Sequence, residues 1–112
     1  RPRDVRVVAA RSPSACNGPG HGDPCRMAET VDRLFVHCKE LVTLTDGPAT
    51  RARRGEAMLA LGVIEDGAVA VRDGRIVATG PTDRIGRDYR AAVELDLGGH
   101  VVLPGFVDAH TH

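Results

Sequence analysis

Glu65-Asp-Gly-Ala-Val-Ala-Val-Arg-Asp-Gly-Arg-Ile-Val-Ala-Thr-Gly-Pro81 decides the fold class of this chain. It contains two β-rich runs, 67–72 and 75–79, joined by Asp73-Gly74. Valine, isoleucine and threonine suit a pleated, half-buried strand. Asp-Gly between two such runs specifies a tight hairpin, because both turn residues take positive φ. Gly80-Pro81 then ends the second strand.

Working outward, the pattern stays β. Downstream, Thr82 is placed to cap a short helix reaching Arg87, with Asp83 favouring its N-terminus. Val93-Glu-Leu-Asp-Leu97 alternates apolar and acidic residues, as a half-exposed strand does. Gly98-Gly99 turns the chain, 100–103 forms another short strand, and Pro104-Gly105 breaks it. Upstream, 33–38 and 40–45 read as two strands before a turn at Asp46-Gly-Pro48. Thr50 to Arg54 is a basic loop, and 56–61 forms one or two helical turns closed by Gly62. The expected fold is mostly β: residues 31–104 as a small, mostly antiparallel β-sandwich domain.

Composition bounds the function. The 112 residues carry 15 basic and 15 acidic side chains, so there is no basic surplus for nucleic acid or an anionic membrane. Aromatics are 3%, too few for a base-stacking platform. No apolar run reaches membrane-spanning length. Cys16, Cys25 and Cys38 make no disulfide framework, which fits a reduced, cytoplasmic protein.

Residues 1–30 have a different texture. Asn17-Gly-Pro-Gly-His-Gly-Asp-Pro24 consists of turn formers, and the expectation is a disordered tail or upstream extension. Met27 stands where patterned sequence begins and is the expected native start. Cys16, His21 and Cys25 are a poor zinc set, since the cysteines are eight apart rather than two to four.

The chemistry is concentrated in Gly105-Phe-Val-Asp-Ala-His-Thr-His112. On a strand, residues two apart share a face, which puts Asp108, His110 and His112 together with Val107, Ala109 and Thr111 opposite. Two imidazoles so spaced can ligate one metal ion. The spacing alone is weak evidence, since chance supplies it in roughly a fifth of chains with this histidine content. Three polar groups on one face of an apolar strand are costly in a plain core. They suit the mouth of a barrel, where strand ends carry ligands and catalytic groups. His37 and His100 read as surface or strand positions.

Two runs together resemble the N-terminal part of the amidohydrolase superfamily. One is 65–81, quoted above, and the other is Leu95-Asp-Leu-Gly-Gly-His-Val-Val-Leu-Pro-Gly-Phe-Val-Asp-Ala-His-Thr-His112. In that superfamily a small β domain precedes a metal-dependent (β/α)8 barrel, and His-x-His ends the first barrel strand. Residues 105–112 would be that strand, and the remaining barrel of about 200–250 residues is not in this chain. Arg53-Arg-Gly-Glu-Ala-Met-Leu-Ala-Leu-Gly-Val-Ile-Glu-Asp-Gly67 further resembles the insertion of imidazolonepropionases.

The resemblance implies that His110 and His112 bind one divalent metal, zinc or iron, with Asp108 behind them rather than as a ligand. It implies hydrolysis of a small cyclic amide, 4-imidazolone-5-propanoate, to N-formimidoyl-L-glutamate in histidine breakdown. A homodimer is the implied assembly of the full-length enzyme. The chain alone is expected to be inactive and poorly stable, because the superfamily's β domain also takes strands from the C-terminal end. Two other readings stand beside this one. The first is a guanine-, cytosine- or triazine-type aminohydrolase. The second is a free-standing β binding module, which a reading frame continuing for a barrel's length would eliminate.

Overall fold

The computed structural model describes residues 6–9, 27–46 and 51–112. The hairpin forms as its turn residues require. Strand β3 (Val63–Arg72) and strand β4 (Arg75–Pro81) pair antiparallel, with Arg72 opposite Arg75. Asp73 and Gly74 take φ values of 52° and 73°, the left-handed pair of a type I′ turn.

The organising strand is β2 (Glu29–Val42), 14 residues long. It pairs antiparallel with β3 on one side. On the other it pairs parallel with β5 (Tyr89–Asp96) along its first half and with β6 (Val101–Val102) near its end. The sequence reading divided this stretch into two strands. The structure keeps one strand and absorbs the irregularity as a bulge between Phe35 and Cys38, where His37 takes φ 57°. The turn before Gly62 is a 3-10 helix over Gly55–Leu59. Arg53 holds this connection in place by donating to the carbonyls of Ala60 and Leu44.

A further strand, β1 (Arg6–Ala9), pairs antiparallel with β5, Arg6 opposite Asp96. These four residues fall in the segment expected to be disordered. Their short apolar run, Val7-Val-Ala9, is enough to extend a sheet edge that already exists. The rest of 1–26, including Cys16, His21 and Cys25, lies outside the described residues.

The fold is mostly β, with one sheet in the order β1-β5-β2-β3-β4. Among the described residues the layer facing this sheet is helix α1 (Thr82–Asp88), not a second sheet. Period-two alternation along β3 sorts the core. Ala68 and Ala70 face α1 and pack with Val31, Leu34, Val36 and Ile85. Val69 belongs to a second cluster with Cys38 and Leu41, bordered by Phe35, Val71, Leu97 and Val102. Small alanines under the helix allow Ile85, 1% exposed, to approach the sheet closely. The second face opens into an apolar groove of about 420 Å³ that Phe35, Val71, Ile76 and Leu103 help to line.

Thr82 does not cap α1. The helix begins after Pro81 with no side-chain cap. Thr82 is 7% exposed, and its hydroxyl donates to the carbonyl of Gly67 at 3.2 Å while accepting from the amide of His37 at 3.0 Å. It fastens the helix to the bulge of β2 and to β3.

Candidate metal centre

After β6 the chain leaves the sheet, and no strand forms over 105–112. Phe106 and Val107 are 91% and 93% exposed. A strand is held by ladder hydrogen bonds to a neighbour. Among the described residues, no strand lies alongside this segment to supply them.

Local hydrogen bonds shape the segment instead. The Asp108 carboxylate accepts from the amide of His110 at 3.1 Å through Oδ1. Through Oδ2 it accepts the hydroxyl of Thr111. This is the i to i+2 turn that aspartate makes with its own backbone. Asp108 is therefore a turn residue here, and the expected three-residue face of an extended strand is not formed.

The two histidines still converge. Nε2 of His110 lies 2.8 Å from Nε2 of His112, and the rings meet edge to face, with centroids 4.5 Å apart and planes at 82°. In this geometry one ring donates and the other accepts. Two nitrogens on a tetrahedral ion with Metal–N bonds near 2.05 Å stand about 3.3 Å apart. The observed pair is within about half an ångström of that span, and neutral imidazole suits zinc or iron. The donor set fits the beginning of a metal site. Among the described residues, no group of three or more His, Cys, Asp or Glu side chains is assembled to hold a metal.

The structure also shows polar features that sequence reading passed over. His37, expected as an ordinary strand position, bonds through Nδ1 to Asp66 Oδ1 at 3.0 Å, and both residues take positive φ. His100 has its Nδ1 buried without a partner. The Cys38 thiol is fully buried, and desolvation raises its pKa. None of these lies in the His110–His112 pair. Positive φ at an asparagine-like position is hard to read from sequence when the residue is histidine.

Comparison with known proteins bears on this arrangement. Residues 67–92 match a family model described as the imidazolonepropionase-like composite domain of bacteria. An imidazolonepropionase of Symbiobacterium thermophilum is 49% identical over 85 residues, covering 73% of this chain and 19% of that protein. One from Chloroflexus aggregans is 49% identical over 84 residues, covering 75% of this chain and 19% of its own length. Over about three quarters of its residues the chain is similar to imidazolonepropionases. It spans about a fifth of the length of these curated relatives. A shorter match joins it to the 5-methylthioadenosine/S-adenosylhomocysteine deaminase of Syntrophobacter fumaroxidans, 54% identical over 48 residues, covering 43% of this chain and 11% of that protein.

Proposed function

We propose that this chain is part of an imidazolonepropionase, a hydrolase that opens 4-imidazolone-5-propanoate to N-formimidoyl-L-glutamate. The observation that carries this reading is the extent of the match. Imidazolonepropionases align over 85 residues at 49% identity, whereas the deaminase match covers 48. The longer match favours the reading in which the 53–67 insertion resembles imidazolonepropionases.

In this reading residues 31–104 form the β domain, and 105–112 lead into the first strand of a (β/α)8 barrel. His110 and His112 would hold one divalent metal, zinc or iron, together with ligands from later in the parent protein. When bound, the ion supplies Lewis acidity, making water nucleophilic at neutral pH and polarising the carbonyl under attack. The histidines contribute neutral nitrogen donors, which leave the ion its full positive charge. Water adds at the ring carbonyl carbon, the ring C–N bond breaks, and the freed nitrogen takes a proton. The setting proposed is cytoplasmic, consistent with the free, buried Cys38 thiol, and the full-length enzyme is proposed to be a homodimer.

The test is turnover by the product of the complete gene. Loss of 4-imidazolone-5-propanoate with formation of N-formimidoyl-L-glutamate, abolished by chelation and by His110→Ala, is the expected result. Ammonia release from 5-methylthioadenosine without imidazolone turnover would replace this reading with the deaminase one. The 112-residue chain alone is expected to show no turnover.

A further inference from the structure

Helix α1 leaves part of its side of the sheet uncovered. An open cavity of about 470 Å³ is lined by residues of α1, β2 and β5. Leu34, Val36 and Ala91 supply its apolar lining, and the first two are buried core residues. Arg87, Arg90, Asp83 and Glu94 also line it, so both signs of charge border one space. Among the described residues, none of these four enters an ion pair. Arg87 Nε donates to the Asp83 carbonyl at 3.1 Å, which leaves the terminal guanidinium nitrogens for another acceptor. Gly86 borders the cavity too, and a Cβ on it meets nothing within 4 Å, so the open space reaches the helix backbone. His37 is a further lining residue. Its positive φ is held by the 3.0 Å bond from Nδ1 to Asp66 and by Thr82, which accepts its amide. Backbone held in this region gathers at ligand sites, and Nε2 is the ring atom left for a ligand.

We propose that this cavity binds a free α-amino acid with an apolar side chain, its carboxylate taken by Arg87 and Arg90 and its ammonium by Asp83 and Glu94. The assignment follows from charge balance. The two guanidiniums and the two carboxylates cancel, and His37 is paired with Asp66. A simple anion gains from the arginines but is repelled by the carboxylates, and a simple cation meets the reverse. A zwitterion gains from both sets, because it presents both signs on one small body. Guanidinium is the side chain best shaped to hold a carboxylate, through two parallel N–H donors. Leu34, Val36 and Ala91 favour an aliphatic side chain over a polar one, since a polar group set against them would lose its water. The volume falls in the range of about 300–1,000 Å³ in which small molecules are held. The proposal draws on no residue of 105–112 and stands whatever reaction the parent protein performs.

Titrating L-leucine into the nitrogen-15-labelled 112-residue chain and following its amide and imidazole shifts tests this. Saturable shifts should gather at residues 34–37, 82–87 and 89–94, while the amides of the Asp73-Gly74 turn stay in place. Two analogues separate the charges: 4-methylpentanoate lacks the ammonium, and 3-methylbutylamine lacks the carboxylate. Each should bind at least about 10-fold more weakly than L-leucine, the loss expected when one charged hydrogen-bonding group is removed. Arg87→Gln and Glu94→Gln, which keep side-chain length, should each weaken L-leucine by about the same factor. Gly86→Leu projects an apolar side chain from a helical position where a Cβ meets no neighbour, and it should abolish the saturable shifts. L-Leucine that leaves the lining amides unmoved, or moves them without saturation, would overturn the site. Equal affinity for 4-methylpentanoate and L-leucine would make it a plain anion site and overturn the amino-acid assignment. Parent affinity in Gly86→Leu with the sheet amides in place would put the ligand elsewhere and overturn it too. If Gly86→Leu does not fold, parent affinity in both Arg87→Gln and Glu94→Gln does the same.

Discussion

Replacing Thr82 by valine tests the tie between helix, bulge and hairpin. The two side chains share a β-branched shape, so the substitution removes the hydroxyl with little change of packing. Two partners are stranded: the amide of His37, bonded at 3.0 Å, and the carbonyl of Gly67, bonded at 3.2 Å. A buried polar group left unpaired costs about 1–3 kcal/mol. The His37 amide is only part-buried, so water recovers some of its loss. The Gly67 carbonyl is buried and recovers little. Together the loss is about 2 kcal/mol, a large share of the roughly 5–15 kcal/mol that holds a domain of this size. Thr82→Ser keeps both bonds and loses one methyl, costing about 0.8 kcal/mol. Urea unfolding followed by circular dichroism gives both values by linear extrapolation. Thr82→Val should be the less stable variant by about 1 kcal/mol. Stability equal to or above that of Thr82→Ser would refute the tie.

Other sites give expectations of different sign. A Cβ on Gly67 would lie 2.6 Å from Leu41 Cβ and 3.2 Å from the Ile64 carbonyl, neither of which can swing away. Gly67→Ala should therefore lose about 1–3 kcal/mol in urea unfolding. A Cβ on Gly86, inside α1, meets nothing within 4 Å, so Gly86→Ala should gain about 0.5–1 kcal/mol. Leu34→Ala, at a site 2% exposed beneath α1, should lose about 2–5 kcal/mol in the same assay. Burial raises the Cys38 pKa above that of the unfolded thiol, so the folded state holds its proton more tightly. That contribution is complete below about pH 8.5 and declines as pH rises through the raised value. Stability measured from pH 7 to 10 should fall more steeply for the parent than for Cys38→Ala, and parallel curves would contradict this.

The parts of the fold that were legible in the sequence are those set by neighbours along the chain. Asp73-Gly74 needs only its own backbone preference to make a turn, and the residues on either side need only alternate. Helix α1 was visible for the same reason, though Thr82 was assigned to the wrong task. A threonine at a helix start normally looks for the helix's own amides, but here α1 lies over the His37 bulge and the hydroxyl finds partners across the sheet. The unity of β2 was hidden because Lys39, a residue poor in strand propensity, divides the two β-rich runs, whereas pairing on both sides carries the chain through the bulge at His37. The parallel pairing of β2 with β5 joins Glu29 to Tyr89, a separation that no local pattern encodes.

The His-x-His segment shows the same limit in sharper form. Asp108, His110 and His112 share a face only in an extended strand, and a strand is a property of two partners. Where no neighbour supplies ladder bonds, the local competitor wins, and aspartate is among the residues best able to offer one. The signal was in the sequence: Asp108 with Thr111 three residues later is a spacing at which a carboxylate can gather both an amide and a hydroxyl. A turn also brings residues two apart close together, so the His110–His112 spacing permits convergence in either conformation. The strand reading brought the two imidazoles together through a backbone state that this segment does not adopt. If a complete barrel does draw 105–112 into its first strand, the carboxylate must release the His110 amide to the ladder. The turn and the strand are then alternative supports for one pair of nitrogens.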